Sequence, residues 1–210
     1  MAVSGLLLLL FAIFHMLGHL QMFGGQDMYN AYAHFLQDLW EVKWPTRIGL
    51  LVLVLIHIVL GLRLAMANRA ARESKYAVYR PVVSRLPGRA MALTGLAVAA
   101  FIVFHLLHFT LGQVQPEHFH HLDMKDRYDA YSMYVYGFKN AGIYVSYFVG
   151  ILLLCLHLGH GASSWLQSLG WRHPKYPTDR LGTYVSVLLF VGYMIPPTAV
   201  LAGIIQLPGA

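Results

Sequence analysis

Five apolar runs constrain this chain more than any other feature, each near the roughly 20 residues an α-helix needs to cross about 30 Å of hydrocarbon. They cover residues 3–23, 48–67, 90–112, 141–166 and 181–205. Backbone N–H and C=O groups in lipid must pair within their own segment, so each run is expected to be helical. Charged residues make up 11% of the chain and hydrophobic ones 58%, whereas soluble domains carry about 25% charge. The expected fold class is all-α: an integral membrane bundle of five transmembrane helices, forming one domain over residues 1–210. The first run lacks a basic lead-in and a small-residue cleavage site, so it reads as a retained span.

The formal charge of +6 is informative through its placement. Arg69, Arg72, Lys75, Arg80, Arg85 and Arg89 lie between spans two and three, opposed only by Glu73. Arg172, Lys175 and Arg180 lie between spans four and five. The remaining loops hold Asp27, Asp38, Glu41, Glu117, Asp123, Asp126 and Asp129. Basic loops stay cytoplasmic, which places the N-terminus inside and the C-terminus outside. The basic balance is thus a topology signal, and no nucleic-acid partner is expected.

An internal repeat organises the chain. Residues 1–17 read MAVSGLLLLLFAIFHML and residues 91–107 read MALTGLAVAAFIVFHLL. The following loops echo each other too, with Asp27, Tyr29, Ala31 and Tyr32 matching Asp126, Tyr128, Ala130 and Tyr131. Spans two and four share His57 with His157 and Gly61 with Gly161. The repeat units are about 1–68 and 91–166. An even number of spans separates the copies, so equivalent helices run the same way and equivalent residues face each other at one depth across an axis along the membrane normal.

Seven histidines fall within the spans: His15, His19, His57, His105, His108, His157 and His160. A lone membrane histidine usually makes an interhelical hydrogen bond. Seven are harder to explain that way, since ionisable side chains in lipid are costly and face the bundle interior. The repeat selects four. His15 with His105, and His57 with His157, can each offer two imidazoles to one iron, making two bis-histidine haems. The first pair comes late in its helices, toward the outer face, and the second lies toward the inner face, so the two haems would stack across the bilayer. The single cysteine, Cys155, and the absence of a C-x-x-C-H motif make any haem non-covalent.

His19, His108 and His160 lie a turn beyond the chosen four and are assigned to haem propionates, quinone or structural hydrogen bonds. Gly18, Gly61 and Gly161 are expected to make room for a flat macrocycle. No Asp or Glu lies inside a span, which disfavours a proton-pumping carboxylate relay. Arg63 is expected to snorkel to the inner surface. Pro196 and Pro197 should kink or break the fifth helix. His118, His120 and His121 read as a solvated loop rather than a metal site. Gln21, Asn30, Tyr32 and His34 are candidates for contact with a quinone.

At SGLLLLLFAIFHMLGHLQMF, NAYAHFLQ, HIVLGLRLAMANRAARESKY, FIVFHLLHFTLG and LHLGHGASSWLQSLGW the chain resembles the di-haem cytochrome b membrane anchor of the succinate dehydrogenase/fumarate reductase family. The resemblance covers nearly the whole chain. It implies haem iron axial ligands at His15 and His105 for a distal haem, and at His57 and His157 for a proximal haem. It further implies two haem b groups, quinone (menaquinone expected) as substrate, and a flavoprotein and an iron–sulfur subunit on the cytoplasmic side of the cell inner membrane. This chain would carry electrons and hold the quinone, while its partners handle succinate or fumarate. His19 departs from the family, where Asn is common.

Two other readings compete. One is the di-haem cytochrome b of another quinone-linked dehydrogenase or hydrogenase, which the quoted motifs disfavour. The other is a haem-free membrane anchor or transporter, whose histidines would bind substrate, metal or neighbouring helices.

Overall fold

The computed structural model describes residues 1–71, 90–170 and 178–209. Most of the basic cluster between spans two and three, with Arg172 and Lys175, lies outside those residues. Helices α1 (Ala2–Leu20), α2 (Gly25–Asp38), α3 (Trp40–Ala70), α4 (Met91–His105), α5 (Ala130–Lys139), α6 (Ala141–Ser168) and α7 (Thr178–Leu201) follow in order. No strand occurs among the described residues, only an isolated bridge between Leu122 and Tyr128. Five helical runs are long and apolar enough to cross a membrane: Ala2–Asp38, Trp40–Ala70, Met91–Thr110, Ala141–Ser168 and Arg180–Leu201. The chain is an all-α, multi-pass membrane bundle.

Four of these helices form a ring. α1 packs on α3, α3 on α4, α4 on α6, and α6 back on α1. The repeat mates α1 and α4 therefore occupy opposite corners, as do α3 and α6. α7 sits outside, against α6 and α1. Its approach to α6 depends on missing side chains: a Cβ on Gly159 would stand 2.6 Å from the Gly182 carbonyl oxygen, and one on Gly182 would strike the Gly159 carbonyl in return. Such small-residue crossings bring membrane helices into backbone contact, where dispersion holds them.

Packing is uneven around the ring. The buried apolar cluster runs through Met16, Tyr134, Phe138, Tyr147, Ile151, Cys155 and Leu189, joining α1, α5, α6 and α7. α3 contains no buried residue. Its apolar surface suits lipid, the solvent in which exposed leucines cost nothing.

Three features depart from the sequence expectations. Residues 25–38, expected as loop, form the amphipathic α2, set off from α1 by a 3₁₀ turn at Gln21–Gly24 and by Gly25 at φ +84°. Only glycine takes that left-handed conformation without strain. The second span is longer than its apolar run, beginning at Trp40 and taking Glu41 into its first turn. Of the kink or break expected at Pro196-Pro197, the break does not occur: the fifth helix continues to Leu201, with both prolines fully buried.

At the end of the bundle remote from Met1, the two repeat loops interlock. Asn30 Nδ2 donates to Asp129 Oδ1 at 2.8 Å and to Asp123 Oδ2 at 3.2 Å, while Asn30 Oδ1 accepts from the Tyr131 N–H at 2.9 Å. Asp129 also caps α5 through the Ser132 N–H at 3.0 Å and accepts from Gln26 at 2.8 Å. Around this core Arg127 bridges Asp123 at 2.6 Å and Asp27 at 2.7 Å, and Lys125 reaches Asp27 at 2.7 Å. These bonds hold the Asp27 carboxyl below its ordinary range, through Lys125 and then Arg127. Burial alone would raise Asp123, but hydrogen bonds from Arg127, Lys125 and Asn30 keep it well below that range. Tyr128 beside them is pushed up to about 12 by burial and the nearby Asp129.

Candidate functional site

The ring geometry brings both histidine pairs selected by the repeat to its centre. His57 on α3 faces His157 on α6, ring centroids 6.3 Å apart and planes at 74°. His15 on α1 faces His105 on α4 at 5.8 Å and 85°. Two imidazoles on opposite sides of one metal, each with a metal–nitrogen bond of about 2 Å, place their centroids roughly 6.3 Å apart. The α3/α6 pair matches that span as it stands. The α1/α4 pair is a few tenths of an ångström short of it.

Register sets the spacing between pairs. His57 lies beside Ser4 and His157 beside Thr94, at the starts of α1 and α4. His15 and His105 follow eleven residues later on the same two helices. At 1.5 Å rise per residue the two levels are about 16 Å apart along the bundle. One pair lies near the Met1 end and the other below the interlocked loops.

At the Met1 level the surroundings repeat almost atom for atom. Ser4 Oγ lies 3.0 Å from His57 Nδ1, and Thr94 Oγ1 lies 3.2 Å from His157 Nδ1. A Cβ on Gly5 would stand 3.3 Å from His57 Cε1, and one on Gly95 would stand 3.2 Å from His157 Cε1. Serine and threonine, like the two glycines, are mates in the repeat. The residues that seat these rings are thus Gly5 and Gly95. Of the three glycines expected to leave room, Gly18 backs onto the Tyr32 hydroxyl and Gly61 onto Met1, while a Cβ added at Gly161 would meet open space.

The other level is less symmetric. His19 Nε2 lies 3.3 Å from His15 Nε2, and its Nδ1 lies 2.9 Å from the Tyr29 hydroxyl. The two imidazoles of α1 thus lie within hydrogen-bond distance of each other, and His15 is the one whose ring faces His105. His105 Nδ1 meets the Tyr147 hydroxyl at 3.3 Å, which also meets His108 Nδ1 at 3.1 Å, and His108 Nε2 continues to Gln115 at 3.0 Å. His108 sits in a π turn, Leu106–Thr110, closed by a hydrogen bond from Leu111 N–H to Leu106 C=O. Such widened turns are frequent at functional sites. A cavity of about 200 Å³ opens here, lined by His15, His19, His105, Tyr29, Phe109 and Tyr134.

The remaining sequence candidates are dispersed. Asn30 is fully buried, with its side-chain amide engaged in the loop clasp. Tyr32 covers Gly18, and His34 pairs with Asp38 at 3.3 Å on an exposed helix face. His118 stacks on Tyr136 with centroids 4.0 Å apart, and His121 Nε2 lies 2.9 Å from the Glu117 carbonyl. Arg63 is exposed on α3.

A tetrad of half-buried imidazoles in two opposed pairs suits a flat, metal-centred macrocycle that takes one nitrogen from each side. The donor set, all neutral nitrogen, suits haem iron. Comparison with protein-family models, curated proteins and solved structures finds no match to this chain.

Proposed function

We propose that this chain is the di-haem cytochrome b membrane anchor of a succinate:quinone oxidoreductase, working as succinate dehydrogenase or fumarate reductase. The observation that carries the reading is the meeting of repeat-mated imidazoles at two levels: His57 with His157, and His15 with His105. When bound, each b haem would accept and release one electron at its iron. The chain's own part is to hold the rings opposed, seat them against Gly5 and Gly95, and keep the two levels within electron-transfer reach. The sequence resemblance supplies the rest of the proposal. A flavoprotein and an iron–sulfur subunit would dock on the cytoplasmic side of the inner membrane, where the N-terminus is placed. Electrons would pass through this chain to or from a membrane quinone, menaquinone being expected.

Purification of the native assembly through a tag on this chain tests the proposal. Two b haems per chain, with flavin and iron–sulfur cluster in the same peak, are expected. A molybdenum or nickel enzyme in that peak would move the chain to another quinone-linked complex. A colourless preparation would remove the haem reading altogether.

A further inference from the structure

The hydroxyls beside the Met1-level histidines occur twice in the same register. An imidazole that gives Nε2 to a metal keeps its proton on Nδ1, and that N–H needs an acceptor. Ser4 Oγ is 3.0 Å from His57 Nδ1 and also 3.0 Å from the Met1 carbonyl oxygen. Thr94 Oγ1 is 3.2 Å from His157 Nδ1, 3.1 Å from the Ala90 carbonyl and 3.2 Å from that of Met91. A hydroxyl has one proton and two lone pairs. When the histidine donates, the hydroxyl accepts and in turn donates its own hydrogen bond to the carbonyl one turn back, leaving every member satisfied. Ser4 is buried, which strengthens the bond and keeps water from substituting for it.

We propose that Ser4 and Thr94 are positioning residues of the His57/His157 pair: each hydroxyl accepts the Nδ1–H of its histidine, orients Nε2 toward the ring centre and raises that nitrogen's donor strength toward oxidised iron. The inference rests on the haem reading and deepens it. Gly5 and Gly95, the next residues, allow the approach, since each ring Cε1 would lie within 3.3 Å of an added Cβ. The other pair is built differently, with a tyrosine hydroxyl shared between His105 and His108. Only one of the two haems should therefore respond to these hydroxyls.

The test is a redox titration of the native complex that resolves the two haems by absorbance and electron paramagnetic resonance. Thr94→Val keeps the side-chain shape and removes the hydroxyl, Ser4→Ala does so by truncation, and Thr94→Ser and Ser4→Thr restore it. Removing an acceptor should weaken the preference for oxidised iron, so the midpoint potential of one haem rises. A tenfold loss of that preference reads as about 59 mV for one electron. The affected haem should be the one lost in His57→Ala, the other should stay fixed, and the hydroxyl-restoring variants should return to wild type. Loss of that haem in Thr94→Val with retention in Thr94→Ser supports the proposal equally. Unmoved potentials in the Ser4→Ala/Thr94→Val double variant would overturn it, as would equal shifts of both haems or loss of haem in Thr94→Ser. A wild-type complex without haem would instead overturn the functional reading on which it stands.

Discussion

Asn30 donates to Asp129 at 2.8 Å, and these two residues are counterparts in the two copies of the repeated segment. Their contact lies where the repeat loops cross, so a residue meets its own mate there, as His15 meets His105 and His57 meets His157. The bond is fully buried, and Asn30 also accepts from the Tyr131 N–H. Asn30→Ala would leave a carboxylate and a backbone donor short of partners inside the clasp. A loss of about 1–3 kcal/mol is expected, read as a lower thermal midpoint in detergent.

The acidic residues of the clasp set its response to pH. Asp123 and Asp27 are held below the ordinary carboxylate range by Arg127 and Lys125. A depressed carboxylate contributes stability above its unfolded pKa of about 3.9 and loses it as pH falls through the native value. The wild-type midpoint should therefore change little down to about pH 4 on this account and decline below. In Arg127→Gln the half-buried Asp123 loses its main counter-charge, so the decline should begin at higher pH. Thermal scans across pH 7 to 3 compare the two, and superimposable profiles would show that Arg127 does not set the acid limit.

Gly95 and Gly5 test whether the ring seats matter. Valine fits a helix no worse than glycine, yet its branches would push into His157 or His57. Either substitution should lower the haem content from two to one per chain while leaving the far-ultraviolet circular dichroism unchanged. Retention of both haems in Gly95→Val would show that the seat yields.

The fifth helix should be separable from the proposed haem sites, because it stands outside the ring and contributes no histidine. Gly182→Leu drives a side chain into the Gly159 backbone, and overpacking of this kind costs about 1–3 kcal/mol. A lower thermal midpoint with an intact two-haem spectrum is the expected outcome. Loss of either haem would mean that α7 braces the ring.

The spans were legible in sequence because an apolar run of about 20 residues satisfies its own backbone in lipid as a helix, and the opposed histidine pairs were legible because the repeat carries His, Gly and Phe in register. Other parts were hidden for physical reasons. Residues 25–38 mix Asn, His, Gln and Asp with aromatics, so their amphipathic helix reads locally as a polar loop. Helix continuity through Pro196-Pro197 depends on burial against neighbours, which composition does not show. Gly5 and Gly95 were visible as matching letters, but their use as ring seats needed the third dimension. Ser4 and Thr94 share a hydroxyl but not a letter, so their equivalence does not show as an identity in the repeat. The contact between His15 and His19 arises from their one-turn spacing, which puts both rings on one helix face.

The most direct measurement is a density map of the native assembly purified through this chain. The account predicts two irons about 16 Å apart along the bundle, one held by His57 and His157 and the other by His15 and His105, each through Nε2. An iron bound by His19 in place of His15, a single iron, or a bundle without porphyrin would contradict it.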